Sequence, residues 1–162
     1  MLGMQLSLES ELDAAWTPVS ERTVARGRWD GLPVELVLEG QAQSKSNRRK
    51  VVKIAGKARL IKSKEALAIE QSWLRQIPVD KRVRLEGDLV MELRIFYGSA
   101  RPDLDASLVF DVLQDRWGHA GSRRVLLQAG VYRNDRQVKE LHAWHAIDAG
   151  RPRVEVKVWP KA

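Results

Sequence analysis

The chain has 162 residues and a formal net charge of +7, and it contains no cysteine. This length suits a single domain with one hydrophobic core. The lack of cysteine excludes disulfides, thiolate catalysis and zinc–thiolate sites, so any metal would be held by oxygen or imidazole ligands. No apolar run is long enough for a membrane span and no secretory signal is recognisable, so we expect a cytosolic protein without a membrane partner.

The positive charge is concentrated in residues 41–64. This segment holds nine of the 28 basic residues and none of the 21 acidic ones, which leaves the rest of the chain with a net charge of −2. A concentrated basic patch is typical of proteins that bind a phosphate backbone. The alternative is a solvated lysine-rich hairpin, because lysine is common on exposed strands.

One strand is predicted in the first part of the chain, between two less regular segments. Residues 1–16 have loosely spaced apolar residues, as in a short helix, and residues 1–31 are interpreted as an N-terminal helical extension to a domain over residues 32–162. β-branched and apolar residues predict a strand over residues 32–38. The polar residues 41–50 lack apolar periodicity and predict a loop.

A hairpin and a helix are expected next. β-prone residues on both sides of Gly56 and Lys57 predict a hairpin over residues 51–62 with its turn at that pair. Ser63 is the expected N-cap of the following helix, which Pro78 ends. This helix has a stripe of apolar residues at helical spacing, which indicates core packing: Ala66, Ile69, Trp73 and Ile77.

The strongest strand pattern covers residues 83–97, and it leads through Pro102 into a helix predicted over residues 104–114. Asp103 and Asp105 lie at the start of that helix. In extended backbone, residues two apart point to the same side, so both carboxylates can converge on one divalent ion. Aspartate is also a common helix N-cap, so the pair alone leaves capping and metal binding open.

The C-terminal part is predicted to be mainly strand. Residues 115–130 contain several glycines and indicate an irregular or partly helical excursion. Strands are expected over residues 138–147 and 153–159. Together the elements predict an α+β fold, with a single domain in which helices pack on a mixed β-sheet.

Four segments, in this order, resemble the RusA-type Holliday junction resolvases of phages and prophages. The resemblance covers residues 32–158, and the N-terminal 30 residues contribute nothing to it. The segments are Gly40 with the loop 44–49, the long strand before Arg101, the turn Pro102, Asp103, Leu104 and Asp105 with its helix, and the element 130–138 with Asp135, Gln137 and Val138.

This resemblance implies a Mg²⁺-dependent endodeoxyribonuclease that resolves Holliday junctions and other branched DNA in recombination and repair, acting as a homodimer. It places the catalytic and metal-binding carboxylates at Asp103, Asp105 and Asp135, with Mn²⁺ as an alternative ion. Carboxylates with a divalent ion can polarise a phosphodiester and lower the pKa of an attacking water. The basic patch would bind DNA through Lys45, Asn47, Arg48, Arg49, Lys50, Lys53, Lys57, Arg59 and Lys62.

The chain departs from the family pattern beside the acids. Family members usually carry asparagine directly after the second acid and lysine three residues later, where this chain has Ala106 and Val109. The lysine is proposed to assist the phosphate or the water, so Lys45 or Arg133 would have to take that role here. The alternative function is a branched-DNA-binding protein of the same fold with weak or no catalysis.

Histidine and tryptophan residues provide weaker signals. His142 and His145 are three apart on a predicted strand and therefore point to opposite faces, which disfavours a shared metal. Trp117, Trp144 and Trp159 could stack on exposed bases at a junction, although packing is the usual role of tryptophan.

Overall fold

The computed structural model describes residues 24–42, 49–62, 64–100 and 106–162. Several features named in the sequence analysis lie outside these residues: the predicted N-terminal helix, Ser63, Lys45, Asn47, Arg48, Asp103 and Asp105. The elements, in chain order, are β1 (Val34–Glu39), β2 (Arg49–Ile54), β3 (Lys57–Lys62), α1 (Lys64–Gln76), β4 (Leu89–Tyr97), α2 (Ser107–Leu113), β5 (Arg116–Ala120), β6 (Arg123–Gln128), β7 (Val138–Ile147) and β8 (Arg153–Pro160).

Four of the strands form one mixed sheet in the order β1-β8-β4-β7. β8 is antiparallel to both β1 and β4, whereas β4 and β7 are parallel. The pairs β2–β3 and β5–β6 are separate antiparallel hairpins. The predicted α+β class, with a single small domain and a mixed sheet, is therefore confirmed.

The core lies on one face of this sheet. Met91, Leu93 and Ile95 of β4 are fully buried on that face, and their neighbours Val154 and Val156 on β8 extend it. This alternation follows from the two-residue period of a strand that is buried on one side.

Helix α1 is fixed to the sheet by its predicted apolar stripe. Ala66, Trp73 and Ile77 are buried, and Ile69 packs against the core. The indole Nε1 of Trp73 donates to the carbonyl of Glu39 at 3.0 Å, which satisfies its polar edge inside the core.

Two sequence predictions between the main strands are wrong. The strand predicted over residues 83–97 begins only at Leu89, because Arg84 (φ 53°) and Gly87 (φ 75°) adopt left-handed backbone that breaks a strand. The excursion predicted over residues 115–130 is the hairpin β5–β6, in which Trp117 pairs with Leu126. Its glycines are compatible with a two-stranded ribbon, since Gly121 (φ 61°) lies in the turn.

The first hairpin was predicted with its turn one residue too late. Ile54 pairs with Lys57, so the turn residues are Ala55 and Gly56, with φ of 49° and 76°. Positive φ at both central residues is the requirement of a type I′ turn, whose twist matches the flanking strands. Ala55 therefore occupies a conformation that is unfavourable for a residue with a Cβ.

A buried ion pair joins the irregular segment before β4 to the start of the second hairpin. Arg84 Nη2 lies 2.7 Å from Asp115 Oδ2, and both side chains are almost completely buried. Asp115 Oδ1 also accepts from the backbone N–H of Gly130 at 2.8 Å. Each carboxylate oxygen is therefore satisfied, as a buried charge requires.

A second buried guanidinium closes the end of α1. Arg82 donates to the carbonyls of Leu74 and Ile77 in and after the last turn of that helix and to Ala129. A cation at a helix C-terminus also complements the helix dipole. Within the described residues, no helix is long and apolar enough to cross a membrane.

Ala55→Asn is expected to raise the free energy of unfolding by about 1 kcal/mol, because asparagine tolerates left-handed backbone better than alanine. Urea denaturation followed by circular dichroism measures this difference. Ala58→Asn is the matched control, since Ala58 lies on β3 rather than in the turn. An equal gain in both variants would contradict the turn assignment.

Asp115→Asn is expected to lower the free energy of unfolding by about 3 to 5 kcal/mol, because the buried charge of Arg84 loses its partner. Urea denaturation is again the measurement. The exposed Asp80 provides the control, and Asp80→Asn should change stability by less than about 0.5 kcal/mol. A small effect of Asp115→Asn would show that the pair is dispensable.

Candidate functional site

Helix α2 has one buried and one half-buried face, and the half-buried face is directed toward the candidate site. Leu108, Val109, Val112 and Leu113 are buried against the sheet. On the other face, Phe110, Asp111 and Gln114 are only partly exposed. The helix begins at Ser107, two residues after Asp105 in the sequence.

The element around Asp135 is a 3₁₀ turn that is held by its flanking polar side chains. Asn134 accepts from the N–H of Arg136 at 2.9 Å, and Gln137 Oε1 accepts from the N–H of Asn134 at 3.0 Å, which together form a capping box. Gln137 Nε2 also donates to the carbonyl of Leu85 at 2.9 Å. Asn134 and Gln137 thus fix the backbone at Asp135.

The tertiary structure sets this turn against the end of α2. The N–H of Asp135 donates to Gln114 Oε1 at 3.3 Å, and the N–H of Val131 donates to the carbonyl of Leu113 at 2.7 Å. Gly130 is required at this contact, because a Cβ there would lie 2.5 Å from the carbonyl oxygen of Leu113. Asp135 is therefore positioned beside the helix that follows Asp103 and Asp105.

Tyr132 connects the two acidic elements. Its ring is fully buried, and its hydroxyl donates to the carbonyl of Phe110 at 3.2 Å. Burial raises the pKa of Tyr132 strongly, and the negative charges of Asp135 and Asp111 raise this pKa further. Both carboxylates therefore lie close enough to act on the same phenol.

Asp111 is an acidic residue in the middle of α2. It is half-buried and lies on the face of α2 that carries Gln114, three residues further along. The three-residue spacing between Asp111 and Gln114 places both on one face of the helix. The sequence alone did not show that this face is directed toward the candidate site, so the spacing could not identify Asp111. Asp111 is thus the described carboxylate nearest to Asp105 along the chain.

Position 109, where the resemblance led us to expect a lysine, lies in the core. The side chain of Val109 is fully buried, and Ala106 packs against the same core. A charged amine at position 109 would be desolvated here, so apolar valine is the residue that this packing favours. Arg133, one of the two replacements considered, pairs with Glu86 at 2.7 Å, while Lys45 lies outside the described residues.

The described part of the basic patch is an exposed hairpin. Lys53 and Lys57 have exposed side chains on β2 and β3. Arg49, Lys50, Arg59 and Lys62 lie on the same two strands. At the base of the preceding loop, Gln41 Oε1 accepts from the N–H of Gly98 at 2.6 Å, so the patch begins beside the segment that leads to Asp103.

No group of three or more histidine, aspartate or glutamate residues that could hold a metal occurs within the described ranges, which omit Asp103 and Asp105. His142 pairs with Glu140 at 2.7 Å, and His145 contacts the ring of Tyr97 edge-on. The two histidines thus have different neighbours, in line with their expected opposite orientation on one strand.

Comparison of the sequence with protein-family models found no matching family, and comparison with curated proteins found no significant match.

Tyr132→Phe is expected to make stability less sensitive to alkaline pH. The unfolded tyrosine ionises near its ordinary pKa of 10.0, whereas the folded residue keeps its proton, so the wild-type protein loses stability as pH rises above that value. The loss from this one group approaches about 1.4 kcal/mol per pH unit, and phenylalanine removes it. Urea denaturation at about pH 9, 10 and 11 tests the difference; parallel pH dependence in both proteins would contradict the burial of an un-ionised Tyr132.

Proposed function

We propose that the protein is a Mg²⁺-dependent endodeoxyribonuclease of the RusA type that cuts branched DNA, as a homodimer, with Asp103, Asp105 and Asp135 as the metal-binding carboxylates. The observation that carries the proposal is the contact between α2 and the Asp135 turn. It brings two sequence segments of the family pattern, which lie far apart along the chain, next to one another.

The described donor set suits a hard divalent cation. Asp135 supplies carboxylate oxygens, which are the ligands that Mg²⁺ prefers, and its half-buried position limits competition from water. Asp111 adds a negative charge on the same surface. When bound, the ion would supply Lewis acidity toward the phosphodiester and the attacking water.

Substrate binding is supported by the distribution of charge. Lys53 and Lys57 are exposed on a hairpin whose strands also carry Arg49, Lys50, Arg59 and Lys62. The hydrogen bond between Gln41 and Gly98 links the start of the basic patch to the segment that leads to Asp103. DNA held by this hairpin would therefore pass near the acids, with phosphate contacts that position rather than specify.

A second copy of the chain is supported by the exposed strand β7. It is an edge of the four-stranded sheet, and it exposes Leu141, Trp144 and Ile147. Apolar edge strands are frequent sites of association between chains.

The alternative is a branched-DNA-binding protein of the same fold without efficient catalysis. It is favoured by one observation, the burial of Val109 at the position where the family has its helper lysine. Val109 has no charged group, and Arg133 is paired to Glu86. Neither of these two positions therefore supplies an unpaired amine or guanidinium beside Asp135. The two functions share the DNA-binding surface and differ only in turnover.

A cleavage assay on a synthetic four-way junction with Mg²⁺ distinguishes the two functions. We expect symmetric nicks from the wild-type protein, and a loss of at least about 100-fold in rate for Asp105→Asn and Asp135→Asn, because each removes a metal ligand. Asp80→Asn, which neutralises an exposed acid, should leave the rate unchanged.

Two outcomes would overturn parts of this proposal. Junction binding without nicks in Mg²⁺ or Mn²⁺ would favour the non-catalytic alternative. Equal affinity for a four-way junction and a linear duplex of the same length would exclude selectivity for branched DNA.

A further inference from the structure

The hairpin β5–β6 is built as a rigid projection from the candidate site. At its base, Val125 and Leu126 are buried, and the N–H of Asp115 donates to the carbonyl of Tyr132 at 3.1 Å. At its tip, Gly121, Ser122, Arg123 and Arg124 are exposed. The hairpin thus begins and ends close to the segments that contact the Asp135 turn, and its tip is exposed to solvent.

One face of this hairpin presents an aromatic ring beside positive charge. In the strand register, His119 pairs with Arg124, and Trp117 lies diagonally from Arg124 on the same face. The guanidinium of Arg124 lies 4.5 Å from the centre of the Trp117 ring, and 38% of Trp117 is exposed. The pair forms a flat surface of the kind on which nucleic-acid bases stack.

The positive charge at the tip of the hairpin differs from that at its base, where Arg116 pairs with Glu70 at 3.3 Å. Residues 116–134 contain no aspartate or glutamate, and among the described residues Arg123 and Arg124 form no salt bridge. Some exposed arginines elsewhere are paired, since Arg133 pairs with Glu86 and Arg151 with Glu39. The tip is therefore a place where arginine is free to bind an external anion.

We propose that the hairpin β5–β6 binds unpaired or unstacked bases of branched DNA, with Trp117 as the stacking platform and Arg123 and Arg124 on the adjoining phosphates. Branch points expose base faces that a linear duplex hides, and aromatic stacking is tolerant of sequence. The inference rests on the proposed function and extends it, because it assigns a structure-selective contact to a segment outside the carboxylate site and the basic patch.

Trp144 provides an internal comparison. It is also exposed and lies under an arginine, Arg94, whose charge centre is 5.9 Å from the ring. However, Arg94 has Glu92 at 3.9 Å, and Trp144 stacks on His142, which is paired with Glu140. Its surroundings include carboxylates that repel phosphates, so the same aromatic–arginine pair is not expected to bind DNA there.

The test measures affinity by fluorescence anisotropy in EDTA, which prevents Mg²⁺-dependent cleavage, for a four-way junction and a linear duplex of equal length. Trp117→Leu should weaken junction binding by about 10-fold or more and duplex binding by less than about 2-fold, whereas Trp117→Phe, which keeps a π-face, should stay within about 3-fold of wild type. Arg123→Ala and Arg124→Ala should each reduce the salt dependence of log K by about one unit.

Leu127→Ala is the matched control, because 56% of Leu127 is exposed on the same hairpin and the residue has no aromatic ring; it should bind both DNAs as the wild type does. Unchanged junction affinity of Trp117→Leu, an equal loss on duplex and junction, or an equal loss in Leu127→Ala would each overturn the hairpin proposal. The nuclease proposal is judged separately by cleavage in Mg²⁺. If Trp117→Leu cleaves the junction and binds it with normal affinity, only the hairpin proposal is wrong. If the protein binds the junction selectively through Trp117 but does not cleave it, only the nuclease proposal is wrong.

Discussion

The contact between residues 113–115 and 130–132 is the constraint on which the candidate site depends. Backbone hydrogen bonds join Leu113 to Val131 and Asp115 to Tyr132, and Gly130 permits the approach because it has no Cβ. The buried Arg84–Asp115 pair closes this contact from the side of the segment before β4. This group of contacts therefore fixes the positions of the end of α2, the start of β5–β6 and the Asp135 turn relative to one another.

Charge on this protein is separated by structural role. Both arginines on the four-stranded sheet lie near carboxylates, Arg94 at 3.9 Å from Glu92 and Arg153 at 2.8 Å from Asp148, and such pairs contribute little field at a distance. The two hairpins outside the sheet carry exposed cations, Lys53 and Lys57 on β2–β3 and Arg123 and Arg124 on β5–β6. Positive charge of this kind suits a polyanion.

The packing of α2 explains why position 109 is apolar in this chain. Val109 fills a buried position, where a charged side chain would be desolvated. The same helix directs Asp111 and Gln114 toward the Asp135 turn. Stability and function therefore place different demands on adjacent residues of a single short helix.

The sequence by itself determined the features that depend on local periodicity and on charge. Strands β1 and β8 and the apolar stripe of α1 were predictable because a buried face repeats every two or 3.6 residues, and the basic segment was predictable from its charge alone. Only the tertiary structure decided that residues 115–130 form a hairpin, since its buried base consists of just Val125 and Leu126. It also decided that Gln114 at the end of α2 contacts the Asp135 turn, because that proximity comes from a long-range contact that leaves no periodic signal in the chain.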